Sequence, residues 1–171
     1  AGINDLNPNR EKILKNLKQF AGYNINRGFH IGAFIGINSV WLNKKQFSMK
    51  YKAIIIGGSG AVGSNVLNRL FSSESCESVI SLGRKNLDLS KFIGNSNKCI
   101  QQVVDFETLS TNKELFSGID AAFCTLGIGQ PSKVSKEEFW KVDVEYASSF
   151  ASLCAEAGVR YFSLLSAVDA N

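Results

Sequence analysis

The sequence predicts an α/β domain: a doubly wound parallel sheet with strand order 3-2-1-4-5, preceded by a basic N-terminal extension. Three observations predict it. Lys52–Ser64 reads K-A-I-I-I-G-G-S-G-A-V-G-S, a short apolar run that breaks into glycines and then into a helix-compatible run. From there onward, short apolar runs alternate with helical stretches, which is the pattern of βαβ units. The first 52 residues carry nine Lys/Arg and two acids, Asp5 and Glu11, so the net charge of +4 sits on an arm rather than on the domain.

The first strand is expected over Lys52–Ile56. Gly57, Gly58, Gly60 and Gly63 follow it, and the first helix covers Ala61–Phe71. Both G-x-G-x-x-G from Gly58 and G-x-x-G-x-x-G from Gly57 are satisfied. Strand, glycine turn and helix in this order make a dinucleotide fingerprint with a physical rationale. Gly57 and Gly58 permit the tight turn, Gly60 lets backbone approach a pyrophosphate, and Gly63 lets helix pack on strand. Unpaired N–H groups at the helix start favour the phosphate charge. The competing reading is a glycine turn kept only for close packing.

The second strand is expected over Ser78–Leu82, the third over Ile100–Val104, the fourth over Ala121–Thr125 and the fifth over Tyr161–Leu165. A short helix is expected over Asn112–Phe116 and a long one over Lys136–Ala157, ended by Gly158.

The strand ends carry the chemistry. After the second strand an NAD-preferring site usually holds an acid for the ribose 2′-hydroxyl. Here Gly83 is followed by Arg84 and Lys85, which suit a 2′-phosphate and favour NADP(H). Two solvated cations are the plain alternative. Asp105 after the third strand is placed to accept from an adenine amino group with Phe106 covering the ring, or else to cap the next turn. Gly127 after the fourth strand allows close approach to a cofactor. Ser166 after the fifth is a candidate catalytic hydroxyl or a turn serine.

Taken in order, G-G-S-G-A-V-G, L-G-R-K, V-V-D-F-E, F-C-T-L-G, K-V-D-V-E-Y and F-S-L-L-S-A resemble the atypical short-chain dehydrogenase/reductase family, and within it the Tat-interacting oxidoreductase group. The likeness covers about residues 51–169. It implies a Rossmann fold and NADPH. By motif position it implies phosphate contacts at Gly57, Ser59, Gly60, Ala61 and Val62, the 2′-phosphate contact at Arg84, the adenine contact at Asp105, and ribose contacts at Leu126 and Gly127. The family's Tyr-x-x-x-Lys acid/base pair follows the fifth strand. Within residues 1–171 no tyrosine is followed four positions later by lysine. The expectation is therefore a cofactor-binding module of assembly or regulatory type, whose sheet stops after its fifth strand. The alternative is an NADP-dependent oxidoreductase whose catalytic half lies outside this chain.

Met49 is the sole methionine, and the domain is expected over 49–171 with the extension over 1–48. In the extension, Ile13, Leu14, Leu17 and Phe20 share one helical face, and Phe29–Leu42 is strongly apolar but at fourteen residues short for a bilayer span. A protein partner or self-association is expected through this extension or an exposed sheet edge, with contact to a membrane surface as a lesser alternative. The basic, acid-poor arm suggests a mitochondrial location, with cytoplasmic as the alternative. The four cysteines form no C-x-x-C pair and His30 is the sole histidine, so no metal site is expected. Nucleic acid is not an expected partner, because the folded part has no basic stripe with interleaved aromatics.

Overall fold

The structure is a computed structural model, and it describes residues 50–129 and 133–165. The expectations placed on the N-terminal arm, including the boundary at Met49, lie outside the described residues, as does Ser166.

Five parallel strands form one sheet in the order β3-β2-β1-β4-β5: β1 Tyr51–Ile56, β2 Cys76–Gly83, β3 Cys99–Val103, β4 Ala121–Cys124 and β5 Tyr161–Leu164. The order is the one expected from the sequence. Strand side chains alternate between faces. Ile54 and Ile56 of β1 therefore join one core with Leu82, Phe116, Phe150 and Phe162, while Ala53 and Ile55 join another with Leu67, Phe71 and Val79. Both faces of β1 are covered, which is why its sequence is a continuous apolar run rather than an alternating one.

Helix α1, Ala61–Ser72, covers the second face through Leu67, Leu70 and Phe71. The first face is covered by two elements that differ from expectation. Instead of a short helix over 112–116, a 3₁₀ run spans Phe106–Phe116, broken at Thr108 and Asn112. Asp105 starts it by accepting the Glu107 amide at 3.0 Å. Its buried Phe106 and Leu109 are three residues apart, the spacing that brings side chains into line in a 3₁₀ turn.

The second is the long helix. It begins as α2, Lys136–Trp140, capped by Ser135, whose hydroxyl accepts the Glu138 amide at 3.1 Å. It widens to a π segment over Lys141–Tyr146 and returns to α-helix as α3, Ala147–Glu156. Gly158, at φ 74°, ends it as expected. The Gly158 amide reaches the Ala155 carbonyl and the Val159 amide the Cys154 carbonyl, a Schellman closure.

At the edge where the strands begin, Asp120 joins three of them. Its carboxylate accepts the Lys52 amide at 2.9 Å and pairs with Arg160 at 2.5 Å. Its backbone carbonyl accepts from Arg160 and Tyr161. β1, β4 and β5 are thereby held in register, so their opposite ends, where the candidate residues lie, come out level.

Candidate dinucleotide site

All five strands leave the sheet at one edge, and the predicted residues from Gly57 to Gly127 collect there. Gly57 follows β1 at φ 88°, a conformation that L side chains rarely adopt. A β-carbon on it would also stand 2.7 Å from the Thr125 carbonyl carbon. Gly63, one turn into α1, faces the Gly57 carbonyl and the Thr125 hydroxyl with no room for a methyl. These two glycines are required by packing. Gly60 differs: only the Gly57 oxygen lies near, at 3.4 Å, so its outer side is open.

Gly60 is also the N-cap of α1, and no side chain caps the helix there. Ser59, Ala61 and Val62 are exposed beside it. The first turn of α1 therefore presents uncapped amides at an open glycine, a cradle into which an anionic group fits.

Thr125, which in the sequence marks only the end of a strand, locks the floor of this cradle. Its amide and its hydroxyl both donate to the Ile56 carbonyl, at 2.9 and 3.0 Å. The detectable signal was the β-branched hydroxyl directly before Leu126-Gly127.

After β2, Arg84 and Lys85 are exposed and enter no ion pair among the described residues. Their loop is anchored on both sides. The Val104 amide bonds the Gly83 carbonyl at 2.9 Å, and the Gln101 side chain accepts the Leu87 amide at 2.5 Å while donating to the Leu87 carbonyl at 3.3 Å. Two free cations are thus held on a short, pinned loop beside the glycine turn.

Asp105 is exposed at the end of the third strand and uses one oxygen as a cap. Both sequence readings of it are compatible with this geometry, since capping occupies only Oδ1. Phe106 is placed differently from the expected cover over an adenine. It is 8% exposed, packed into the core and edge-on to Tyr146 with ring centroids 5.6 Å apart. An apolar ring beside a ready-made pocket is stabilised more by burial than by waiting at the surface.

Leu126 packs against the first core, and Gly127 is exposed. Next to them sits Asp143 of the π segment, whose Oδ2 accepts the Ile128 amide at 3.1 Å. Burial pushes the Asp143 carboxyl above the ordinary carboxylate value, and the Ile128 amide pulls partly against this. Asp143 charge also helps push the neighbouring Cys124 thiol up to about 12, although burial is the main cause. In the sequence Asp143 stands out only within K-V-D-V-E-Y, as an acid on an otherwise apolar helix face.

On the other side of the π segment, Lys141 pairs with Glu107 at 2.5 Å, and the Tyr146 hydroxyl lies 3.5 Å from the same carboxylate. Burial raises the Tyr146 phenol, with Lys141 opposing. Phe106, Glu107, Lys141, Glu145, Tyr146 and Ser149 line a shallow polar recess there. Among the described residues no three His, Cys, Asp or Glu side chains gather as a metal site, and no helix is long and apolar enough to cross a membrane.

A parallel sheet in the order 3-2-1-4-5, with a glycine turn from its central strand into a helix, defines a doubly wound Rossmann-type domain. The family model for the NAD dependent epimerase/dehydratase family matches residues 53–170, and the chain belongs to that family. It is similar to Protein HTATIP2 of Rattus norvegicus, 32% identical over 129 residues, covering 75% of this chain and 52% of the relative. That match agrees with the resemblance read from the motifs. It is also similar to Protein FMP52, mitochondrial, of Eremothecium gossypii, 25% identical over 119 residues, covering 70% of this chain and 50% of the relative. The chain thus spans about half the length of these curated relatives. Among solved structures, MoeE5 in complex with UDP-glucose and NAD superposes with a TM-score of 0.56 at 19% identity, covering 68% of this chain and 36% of that one, a likeness of fold.

Proposed function

We propose that this chain is a nicotinamide-dinucleotide-binding module that takes NADP(H) in preference to NAD(H). The observation that carries this is the pair of free cations, Arg84 and Lys85, pinned beside an uncapped glycine-rich helix start. The pyrophosphate would rest on the first turn of α1 at Gly60, Ala61 and Val62, with Gly57 and Gly63 keeping that turn against the sheet and Ser59 at its rim. The 2′-phosphate would meet Arg84, whose planar guanidinium suits bidentate contact, and Lys85. Asp105 Oδ2 is the acceptor offered to the adenine amino group, and Leu126 and Gly127 line the ribose side. Phe106 supports this wall from behind. The cofactor itself would supply hydride chemistry; these residues bind and orient it.

A calorimetric titration with NADPH and NADH in parallel tests the reading. NADPH should bind more tightly, and Arg84→Ala should weaken NADPH by about tenfold, the scale of one charged hydrogen-bonded contact, while leaving NADH nearly unchanged. Equal loss for both nucleotides, or no preference in the wild type, defeats the assignment to the 2′-phosphate.

Two roles fit such a module. The first is binding in service of assembly or regulation. Partner engagement through the basic extension or a sheet edge belongs to this role, and light scattering of the purified chain tests its self-associating form. The second is the cofactor half of an NADP-dependent oxidoreductase, and the specific observation favouring it is that the relatives are about twice as long as the matched stretch. Ser166 would then be a hydroxyl near the nicotinamide. NADPH oxidation by the longest transcript product, compared with that by 1–171, separates the two. A mitochondrial location is proposed from the basic extension together with the relative named as mitochondrial; imaging of a C-terminally tagged chain tests it.

A further inference from the structure

The π segment Lys141–Tyr146 touches both loops that leave the sheet on either side of the proposed cleft. Toward the loop after β4, Asp143 Oδ2 accepts the Ile128 amide at 3.1 Å, and its Oδ1 faces Gly127, 3.6 Å from where a β-carbon would stand. Toward the segment after β3, Tyr146 packs edge-on against Phe106, and Lys141 and Tyr146 both address Glu107. These contacts differ in weight. The Lys141–Glu107 pair is surface exposed, at 41% and 56%, and such pairs contribute little. The Asp143 bond is half-buried and charge-assisted, and it holds a glycine-flanked turn, Gly127-Ile128-Gly129, that has little conformational preference of its own.

We infer that Asp143 is a positioning residue: from the π segment it holds the Gly127–Ile128 turn in place for a bound dinucleotide, while Tyr146 of the same segment packs on Phe106 of the segment after β3. Both contacts come from within a π turn, and such turns recur at functional sites. The inference rests on the dinucleotide reading above. It adds that the β4 loop is pre-organised before any ligand arrives, which lowers the ordering cost of binding.

The test uses chain 1–171 with Asp143→Ala and Asp143→Asn, read by amide hydrogen exchange without nucleotide and by NADPH titration. In Asp143→Ala the Ile128 amide should exchange about fivefold to tenfold faster, the scale of one lost hydrogen bond, while amides of β1 and α1 stay as they were. NADPH should bind about tenfold more weakly. Asp143→Asn keeps an acceptor oxygen and should restore both readouts close to wild type. A role in general stability alone would move every amide together and overturns the inference. So does unchanged Ile128 exchange in Asp143→Ala, or an Asp143→Asn protein as impaired as the alanine variant. If the wild type binds neither nucleotide, the dinucleotide reading fails by itself, and Ile128 exchange then decides whether Asp143 holds the turn. Should Asp143→Ala not fold, Asp143→Ser, too short to span to Ile128, carries the same expectations.

Discussion

Gly63 lies beneath Thr125 so closely that a β-carbon on it would stand 2.7 Å from the threonine hydroxyl, and closer still to the Gly57 carbonyl. The obstruction is mostly backbone, which cannot swing aside as a long side chain could. Gly63→Ala therefore sets two effects against each other. Alanine in a helix gains about 0.5–1 kcal/mol over glycine. Overpacking against rigid neighbours costs about 1–3 kcal/mol. The second wins, and because it displaces α1 from β1 it also disturbs the glycine turn at the start of α1. Urea unfolding of Gly63→Ala should show a lower midpoint at unchanged slope. A midpoint equal to or above wild type would mean that α1 shifts freely.

Asp120 makes the corresponding prediction at the other sheet edge. Asp120→Ala strands the Lys52 amide and deprives Arg160 of its partner. The Asp120 side chain is 25% exposed. The bond lies at the surface, so the expected loss is about 0.5–1.5 kcal/mol, the net worth of one hydrogen bond, with the exposed arginine pair adding little. Arg160→Ala should accordingly cost much less. Comparable losses for the two variants, measured by thermal unfolding, would reverse that ranking.

The cysteines divide by burial. Cys124 and Cys154 are fully buried, and burial drives the Cys124 thiol up to about 12 and Cys154 well above its ordinary value. Cys99 is half-buried and raised to about 11. Thiolate is the reactive form, so at pH 8 Cys124 and Cys154 should resist iodoacetamide in the folded chain and react once it is unfolded in urea. The sign for stability follows. These thiols are raised in the folded state, so their contribution is complete below the unfolded value of about 8.5 and is lost as pH rises toward the folded values. In that window each buried thiol should remove about 1.4 kcal/mol per pH unit. Unfolding at pH 7, 9 and 10 for wild type and Cys124→Ala measures it, the variant showing the shallower decline.

The sheet order was legible because β1 is continuously apolar and opens into glycines, and because helical stretches stand between most of the strands; between β2 and β3 lie only two three-residue 3₁₀ turns. The candidate edge was legible through the same logic: glycines after β1, cations after β2, an acid after β3. Other features needed three dimensions. The π segment has no composition of its own; Lys141–Tyr146 reads as ordinary helix, and only the contacts of Asp143 and Tyr146 with two separate loops give it meaning. The 3₁₀ run was hidden because its buried residues are spread thinly among polar ones, and Thr108 and Asn112 interrupt any helical period. Phe106 was misplaced in expectation for a related reason. Sequence shows an aromatic next to a cofactor strand, but the pocket under Tyr146 that takes its ring comes from a segment about forty positions away.

Asp143 also predicts a pH dependence opposite to that of an ion-paired carboxylate. Burial raises its carboxyl, so the folded state holds the proton more tightly than the unfolded chain does. Its favourable contribution is therefore complete below the unfolded value of about 3.9 and is lost as pH rises through the folded value. The ionised carboxylate is partly desolvated, and among the described residues the Ile128 amide is the group that offsets this. Asp143→Asn removes the charge and keeps the acceptor. Its midpoint at pH 7 should equal or exceed that of wild type, and the difference should shrink as pH is lowered toward 4. A destabilised asparagine variant at pH 7, with the gap widening as pH rises, would show that the carboxylate is held by a cation rather than penalised by burial.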